Sequence, residues 1–214
     1  SMAPGYNFGR FALNLAGNYT HVLKRGDYNN NGGDYRRYSD SGIIGPMLRF
    51  MATENQIVEV STAYVKRNVF KTAINPELND QSVSGLESSL NWIWFFQPGG
   101  LLSLKYWHTE DHADGIFWDN RANRFTASAI IPLMNRLKLQ LAGDINLVGY
   151  TYENTFFNNT KRRDQIYTGT LGLIWDINRH VSALAQYTGT RACSNIFVYD
   201  YDRSMYSVGL EFKF

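Results

Sequence analysis

The most constraining feature of this sequence is a strict alternation of apolar and polar residues with a period of two. In residues 206–214 the even positions are all apolar: Tyr206, Val208, Leu210, Phe212 and Phe214. The odd positions carry polar residues and one glycine. Successive side chains of a β-strand point to opposite faces, so this pattern predicts an amphipathic strand with one apolar face.

The same alternation recurs along the chain and defines ten predicted strands. Their approximate ranges are 7–22, 41–52, 57–70, 82–96, 101–112, 123–133, 137–152, 164–177, 180–192 and 202–214. No helical segment is needed between them. The connections alternate between short ones, such as 53–56, and long ones, such as 113–122. The sequence therefore predicts an all-β, antiparallel, up-and-down barrel with short turns at one end and long loops at the other.

Composition restricts the class of protein further. Charged residues make up 19% of the chain, below the roughly 25% that is usual for soluble globular proteins. No stretch approaches the roughly 18 apolar residues that a spanning helix needs, which excludes a helical membrane protein. A net charge of +2 is too small to indicate a nucleic-acid partner. Cys193 is the single cysteine, which rules out an internal disulfide, and no motif predicts a cofactor.

The residue types of the two faces predict that the apolar face contacts lipid and that the polar face lines the interior of the barrel. The polar face carries small polar residues with isolated charges of both signs, as a confined lumen requires. The predicted lumen-lining charges are Arg10, Arg49, Glu59, Glu87, Lys105, Arg124, Lys138, Asp144, Asp176 and Glu211. The apolar face carries aromatic residues toward the strand ends, where the girdles of a membrane barrel lie. The predicted girdle residues are Trp92, Trp94, Trp175, Tyr206, Phe212 and Phe214.

The spacing of these aromatic residues matches a bilayer. Tyr167 and Trp175 stand eight positions apart, and so do Tyr206 and Phe214. Eight steps at roughly 3.3 Å each measure about 26 Å along a strand. A tilt of roughly 40° reduces this distance to about 20 Å, close to the roughly 25 Å apolar band of a membrane barrel.

With this architecture the chain resembles the bacterial outer-membrane β-barrel proteins. Residues 206–214 are similar to the C-terminal insertion signal of that family, in which alternating apolar positions end in an aromatic residue. The segment 194–203 is similar to the ends of barrels attached to periplasmic helical-repeat secretion proteins. The resemblance implies a location in the bacterial outer membrane. It also implies contact with outer-membrane lipid and lipopolysaccharide, recognition of the last strand by the barrel-assembly machinery, and periplasmic or secretion partners.

The domain organisation follows from the same ranges. Residues 7–214 are predicted to form one barrel domain, which could be the C-terminal part of a longer chain. Residues 1–6 are interpreted as a tag scar or leader remnant, since Ser1 and Met2 are typical of a cloning scar.

Two groups of residues could carry chemistry. His108, Glu110 and His112 would point the same way on a strand, and two imidazoles with a carboxylate suit zinc. These three residues continue the outward face onto an exposed strand end, which favours solvated residues over a metal site. Asp200 and Asp202 resemble the Asp-x-Asp of the omptins, which are ten-stranded outer-membrane proteases. However, the chain lacks the accompanying Asp-x-His, and the lipid A deacylase and phospholipase barrels resemble it in architecture only.

Basic residues lie where the long loops meet the strands. They could donate to lipopolysaccharide phosphates or simply be solvated charges. The candidates are Arg36, Arg37, Lys161, Arg162 and Arg163.

The width of the predicted barrel limits its function. An eight-stranded barrel is just filled by its side chains, and ten strands are only slightly wider. Inward Phe95, Trp107 and Tyr150 would narrow the bore further. We therefore expect a non-enzymatic narrow pore or the membrane-embedded module of a transport or secretion system. The alternatives are an omptin-like or lipid-modifying surface enzyme, and a binding barrel or adhesin that acts through its loops.

Overall fold

In the part of the chain that the structure describes, eleven strands form a single antiparallel sheet in which spatial order equals sequence order. The computed structural model describes residues 4–25, 35–70 and 76–212, without the side chains of residues 24, 25 and 35–37. The strands are β1 Gly5–Asn7, β2 Phe11–Arg25, β3 Tyr35–Thr53, β4 Gln56–Val69, β5 Val83–Gln97, β6 Gly100–Ala113, β7 Asn120–Met134, β8 Leu137–Asn154, β9 Thr160–Asp176, β10 Val181–Ser194 and β11 Tyr201–Phe212. The predicted all-β, up-and-down architecture is confirmed, with the ten predicted strands present as β2–β11.

Two features of the fold were not predicted. The three residues of β1 pair with Ala12–Asn14 of β2 and are too few to show an alternation. The expectation that no helix is needed is wrong in the long connections, which contain α1 (Pro76–Asn79) and the 3-10 turns Ile116–Trp118 and Phe197–Tyr199. These helical turns have three or four residues each, which is too short for a helical repeat of apolar residues to be recognised in the sequence. Among the described residues, no helix is long and apolar enough to cross a membrane.

The short connections lie at one end of the sheet, as the sequence predicts. Glu54 and Asn55 join β3 to β4, and Pro98 and Gly99 join β5 to β6. Gly99 has a φ of 78°, which glycine adopts without steric cost. Proline followed by glycine is the residue pair that a type II turn favours, so the sequence itself specifies this reversal.

Several strands are longer than a membrane requires. β8 has 18 residues, whereas roughly 9–11 tilted residues cross a bilayer. The outer ends of such strands therefore extend beyond the spanning part and continue into the long connections. The register of β8 with β9 shifts between Gly149 and Glu153, above the section that would span.

The apolar face of the sheet is exposed and the polar face is shielded. Val208 on the apolar face of β11 is 86% exposed, and Leu171 in the middle of β9 is 51% exposed. On the polar face of β10, Ser182 and Thr190 are buried. This is the reverse of a soluble barrel or sandwich, in which the apolar face forms the core.

The described sheet is not closed. β1 and β11 form its two edges, and every residue of β11 is exposed. The predicted division between residues 1–6 and 7–214 stays a prediction, although Gly5 and Tyr6 belong to β1. The terminal aromatic residue Phe214 lies outside the described residues.

Candidate functional site

Charged side chains of the polar face form ion pairs across neighbouring strands. On β3 and β4, Arg49 Nη2 lies 2.6 Å from Glu59 Oε1, and the two residues are direct partners in the register. Asn91 Nδ2 donates to the other oxygen of Glu59 at 3.1 Å. Ser103 Oγ in turn donates to Asn91 Oδ1 at 2.8 Å. A continuous polar chain therefore runs across β3, β4, β5 and β6.

A second polar group lies on β6, β7 and β8. Arg124 Nε donates to Asp144 Oδ2 at 2.6 Å, and Thr126 Oγ1 donates to the same oxygen at 2.7 Å. The ammonium of Lys105 lies 3.9 Å from the centre of the Trp107 ring, a cation–π distance. In this group a carboxylate therefore holds Arg124, and an aromatic ring lies against Lys105.

A third pair lies beside the short turns. Lys138 Nζ is 2.9 Å from Asp176 Oδ2, and Ser182 Oγ donates to Asp176 Oδ1 at 2.7 Å. Of the remaining predicted lumen residues, Glu87 is opposite Thr109 in the register of β5 and β6. Glu211 is opposite Ser182 on the edge strand β11, and Arg10 precedes β2 and is exposed. The lumen-lining role of all ten charges stays a prediction.

The polar face ends, toward the long connections, in a cluster around Arg162. Its guanidinium makes two hydrogen bonds to Asp164, from Nη2 to Oδ2 at 2.6 Å and from Nε to Oδ1 at 3.0 Å. The side chains of Arg162 and Asp164 are only 13% and 7% exposed. Tyr199 and Tyr150 lie against the guanidinium, at 3.3 Å and 4.4 Å between its carbon and the ring centres, and the Trp118 ring centre is 5.8 Å away. We call these five residues the mouth cluster.

Three connections that are distant in sequence build the surroundings of the mouth cluster. Phe117 packs edge-on against Phe156 with ring centres 5.7 Å apart, and Phe157 contacts both Phe197 and Tyr199 at 6.4 Å. Edge-to-face geometry at these distances is favourable for aromatic rings. The connections after β6, β8 and β10 are therefore held together over one end of the polar face.

Tyr150 keeps its phenol uncharged in this cluster. It is the fourteenth residue of β8, beyond the part of the strand that would span a membrane. Burial raises the pKa of Tyr150 to about 12, and the nearby positive charge of Arg162 lowers it by less. Tyr150 therefore adds no charge of its own to the ion pair of Arg162 and Asp164 at neutral pH.

The predicted lipopolysaccharide contacts divide by strand parity. Lys161 and Arg163 are exposed on the outer face of β9, whereas Arg162 points to the inner face and is engaged by Asp164. The alternation along β9 separates Arg162 from its two basic neighbours, a distinction that the basic composition of residues 161–163 alone does not give. Arg36 and Arg37 belong to β3, but their side chains lie outside the described residues. Contact with lipopolysaccharide stays a prediction for these residues.

The predicted zinc ligands bond mainly to different partners. His108 Nδ1 lies 3.0 Å from Asn123 Oδ1, and its Nε2 is 3.6 Å from Glu110 Oε1. His112 Nδ1 lies 3.3 Å from Asp119, and Glu110 lies 3.3 Å from the Nε of Arg121. Within the described ranges, no group of three or more His, Cys, Asp or Glu side chains is placed to hold a metal ion.

Zinc should therefore leave the stability of this protein unchanged. A metal that bound the folded state would raise the thermal unfolding temperature by mass action. Because we expect no binding, the unfolding temperature should be the same with and without equimolar zinc. The measurement is a thermal melt of the detergent-solubilised protein, with the His108→Ala variant as control. A rise in the wild type that the variant abolishes would contradict this expectation.

The carboxylates suggested for an omptin-like centre have local structural roles. Asp200 accepts a hydrogen bond from the backbone N–H of Ser194, and Asp202 pairs with Arg191 on the outer face. Asp200 directly precedes β11 and Asp202 is the second residue of that strand, while His112 lies near the end of β6, with four strands between β6 and β11 in the sheet. In the described structure the pair and the histidine are not brought together.

The predicted girdle residues lie on the exposed apolar face where the structure describes them. Trp92 and Trp94 stack with ring centres 6.1 Å apart near a short turn. Tyr206 packs against Tyr187 at 5.0 Å, and Trp175 and Phe212 are exposed. Their function at a membrane interface stays a prediction.

These features define a class of protein. An antiparallel meander with an exposed apolar face, and a polar face of paired charges, has the arrangement of a transmembrane β-barrel. Residues 123–214, which contain most of β7 and all of β8–β11, match the family described as "Putative beta-barrel porin 2". This match supports the resemblance to bacterial outer-membrane β-barrels, suggests the outer membrane as location, and favours a porin-like over an enzymatic role. No curated protein matches the chain.

Proposed function

We propose that this chain forms a narrow pore of the bacterial outer membrane, for water and small ions. The observation that carries the proposal is the inner face, where cations and anions are paired at successive heights. The pairs are Lys138 with Asp176 near the short turns, Arg124 with Asp144 farther along, and Arg162 with Asp164 at the mouth. Paired charges of this kind suit a polar interior and have no use on a surface that meets lipid.

The size of the conducted solute follows from what fills the interior. The paired side chains cross between neighbouring strands and hold one another in place, so they do not retract to admit a large solute. The mouth cluster adds three aromatic rings at the long-connection end. A closed barrel of about ten strands leaves little space beyond its own side chains. Water and small inorganic ions fit this interior, and a folded polypeptide does not.

The second candidate is a function in secretion, in which the barrel is the membrane-embedded module of a larger system. The resemblance of segment 194–203 to barrels of periplasmic-repeat secretion proteins supports this second candidate. In that case the barrel anchors a larger apparatus, and the transported molecule passes beside it or through an assembly. The barrel itself would conduct nothing beyond small ions.

Planar-bilayer recording tests the pore. We expect small stepwise currents from the purified chain, and Asp144→Asn should shift the reversal potential toward anion selectivity because Arg124 would lose its counter-charge. Asp202→Asn is the matched control, since Asp202 pairs with Arg191 on the outer face and should leave selectivity unchanged. If folded, inserted protein gave no current, the pore proposal would be contradicted and the anchoring module favoured. Cleavage of peptide or lipid by such a preparation would instead favour an enzyme.

A further inference from the structure

Two cavities adjoin on the outer face of the sheet. The larger is an open, mostly apolar groove of about 1070 Å³ that crosses the strands from β5 to β11. The smaller, of about 710 Å³, lies toward the long connections on β6–β9. Leu147 and Gln165 line the smaller cavity, and Ile145 and Tyr167 line the larger. These are successive outward positions of β8 and β9, so the two cavities are neighbours on the same face.

The groove exists because one row of the outer face lacks large side chains. Gly143, Gly169 and Gly189 are direct partners across β8, β9 and β10. A Cβ added at Gly143 or Gly169 would meet no atom within 4 Å, so the space above the backbone is open. Ile145 and Tyr167 stand along one side of this row and Tyr187 along the other. The result is an apolar channel on a face that is already apolar.

The smaller cavity is different because charged side chains of both signs line it, among them Asp119, which lies 3.3 Å from His112. Arg121, Lys161 and Arg163 are exposed around it. Glu110 also lines it and lies 3.3 Å from Arg121. Asp164 is part of the lining as well, but its charge is taken up by Arg162 from the inner face. Lys161 and Arg163 therefore provide positive charge that faces outward, directly above an apolar groove.

We propose that these two cavities form one binding site for an anionic glycolipid of the lipid A type. Lys161 and Arg163, with Arg121 beside them, bind its phosphate, and an acyl chain lies in the groove over Gly143 and Gly169. The charge order fits such a molecule, because its phosphates lie at the membrane surface and its chains lie below them. Guanidinium and ammonium groups are strong donors to phosphate oxygens. The residues named for this site lie on the outer face, so the proposal rests on membrane insertion and not on conduction through the interior.

Two variants separate the halves of the site, and each has a matched control. Lys161→Glu combined with Arg163→Glu reverses the charge of the headgroup half, and Gly169→Leu fills the groove. Lys66→Glu is the charge control, because Lys66 is exposed on the same face of β4 outside both cavities. Gly42→Leu is the groove control, because a Cβ at Gly42 of β3 also meets nothing within 4 Å.

The measurement is binding of purified lipid A to the intact, folded chain in detergent, by native mass spectrometry and by titration. Dephosphorylated lipid A is the second probe. We expect the charge-reversal variant to bind lipid A about tenfold or more weakly, the fold-change expected for a lost charge-assisted contact. Its affinity for the dephosphorylated lipid should stay that of the wild type, while Gly169→Leu should weaken binding of both lipids.

The outcomes that overturn the site are equally defined. Unchanged binding of lipid A by either site variant would show that this half of the site does not contact the lipid, and would contradict the proposed site. An equal loss in Lys66→Glu or Gly42→Leu would show general adsorption of lipid to the outer face. Equal affinity of the wild type for lipid A and for dephosphorylated lipid A would show that the protein does not recognise the phosphate. All of these results can be obtained whether or not the chain conducts ions.

Discussion

Replacing Arg162 with alanine should lower the free energy of unfolding by about 3–5 kcal/mol, since removing one partner leaves a buried charge unpaired. Asp164, whose side chain is 7% exposed, would keep its charge without the two hydrogen bonds from the guanidinium. Tyr150 and Tyr199 would also lose the cation that lies against their rings. Denaturant unfolding of the protein in lipid vesicles measures the loss.

The neighbouring arginine is the control for this experiment. Arg163 is exposed on the outer face, and Arg163→Ala should change the unfolding free energy by less than about 1 kcal/mol. If the proposed pore is correct, Arg162→Ala should also raise the single-channel current, because the mouth cluster loses its central side chain. Equal destabilisation by the two substitutions would contradict the inward placement of Arg162.

Replacing Leu171 with lysine should cost about 2–4 kcal/mol, the penalty for a cation at the middle of the lipid face of a membrane barrel. Leu171 lies midway between Tyr167 and Trp175 on the exposed apolar face of β9. A charge there would meet hydrocarbon, where no water or counter-ion can stabilise it. The same vesicle unfolding experiment measures the effect, together with the yield of assembled protein.

The adjacent residue on the other face again provides the control. Thr170→Lys places the same charge on the polar side and removes one hydrogen bond, between the hydroxyl groups of Thr170 and Thr188 at 3.1 Å. We expect a loss of about 1 kcal/mol, the usual net contribution of a hydrogen bond. If Thr170→Lys prevented assembly and Leu171→Lys did not, the two faces would have to be exchanged.

The proposed pore and the proposed lipid site depend on opposite faces of the same strands. On β9, Arg162, Asp164 and Thr170 lie inside, while Lys161, Arg163 and Gly169 lie outside. Thr170 lines neither cavity, so a substitution there tests the interior alone, and a substitution at Gly169 tests the outer face alone. This separation follows from the two-residue period of a strand.

Most of the fold could be predicted because its signal is local. Alternation located the ends of β2–β11 within about four residues except at the start of β3, which lies six residues before the predicted one, and the short turns were marked by residues such as Pro98 and Gly99. β1 and the helical turns were missed, since three or four residues are too few to establish any period. Closure of the barrel was predicted as well, whereas the described sheet has open edges at β1 and β11.

The candidate site was less predictable because its contacts join distant segments. Parity alone indicated which charges share a face, but the partners depend on register. Arg49 is directly opposite its partner Glu59. Arg124 is directly opposite Asn146, but it bonds to Asp144, which is two residues away on the same strand. No alternation pattern can distinguish these cases, since both keep every side chain on the same face.

The sequence by itself determined the strands, their order and the division into an apolar and a polar face, because backbone geometry converts a period of two directly into two faces. Tertiary structure decided which side chains meet. Only the pairing of β8, β9 and β10 aligns Gly143, Gly169 and Gly189 into one groove. Only the folding of the connections after β6 and β10 brings Trp118 and Tyr199 to Arg162. Such contacts depend on strand register and loop packing, which arise from the whole chain and leave no periodic trace in any one segment.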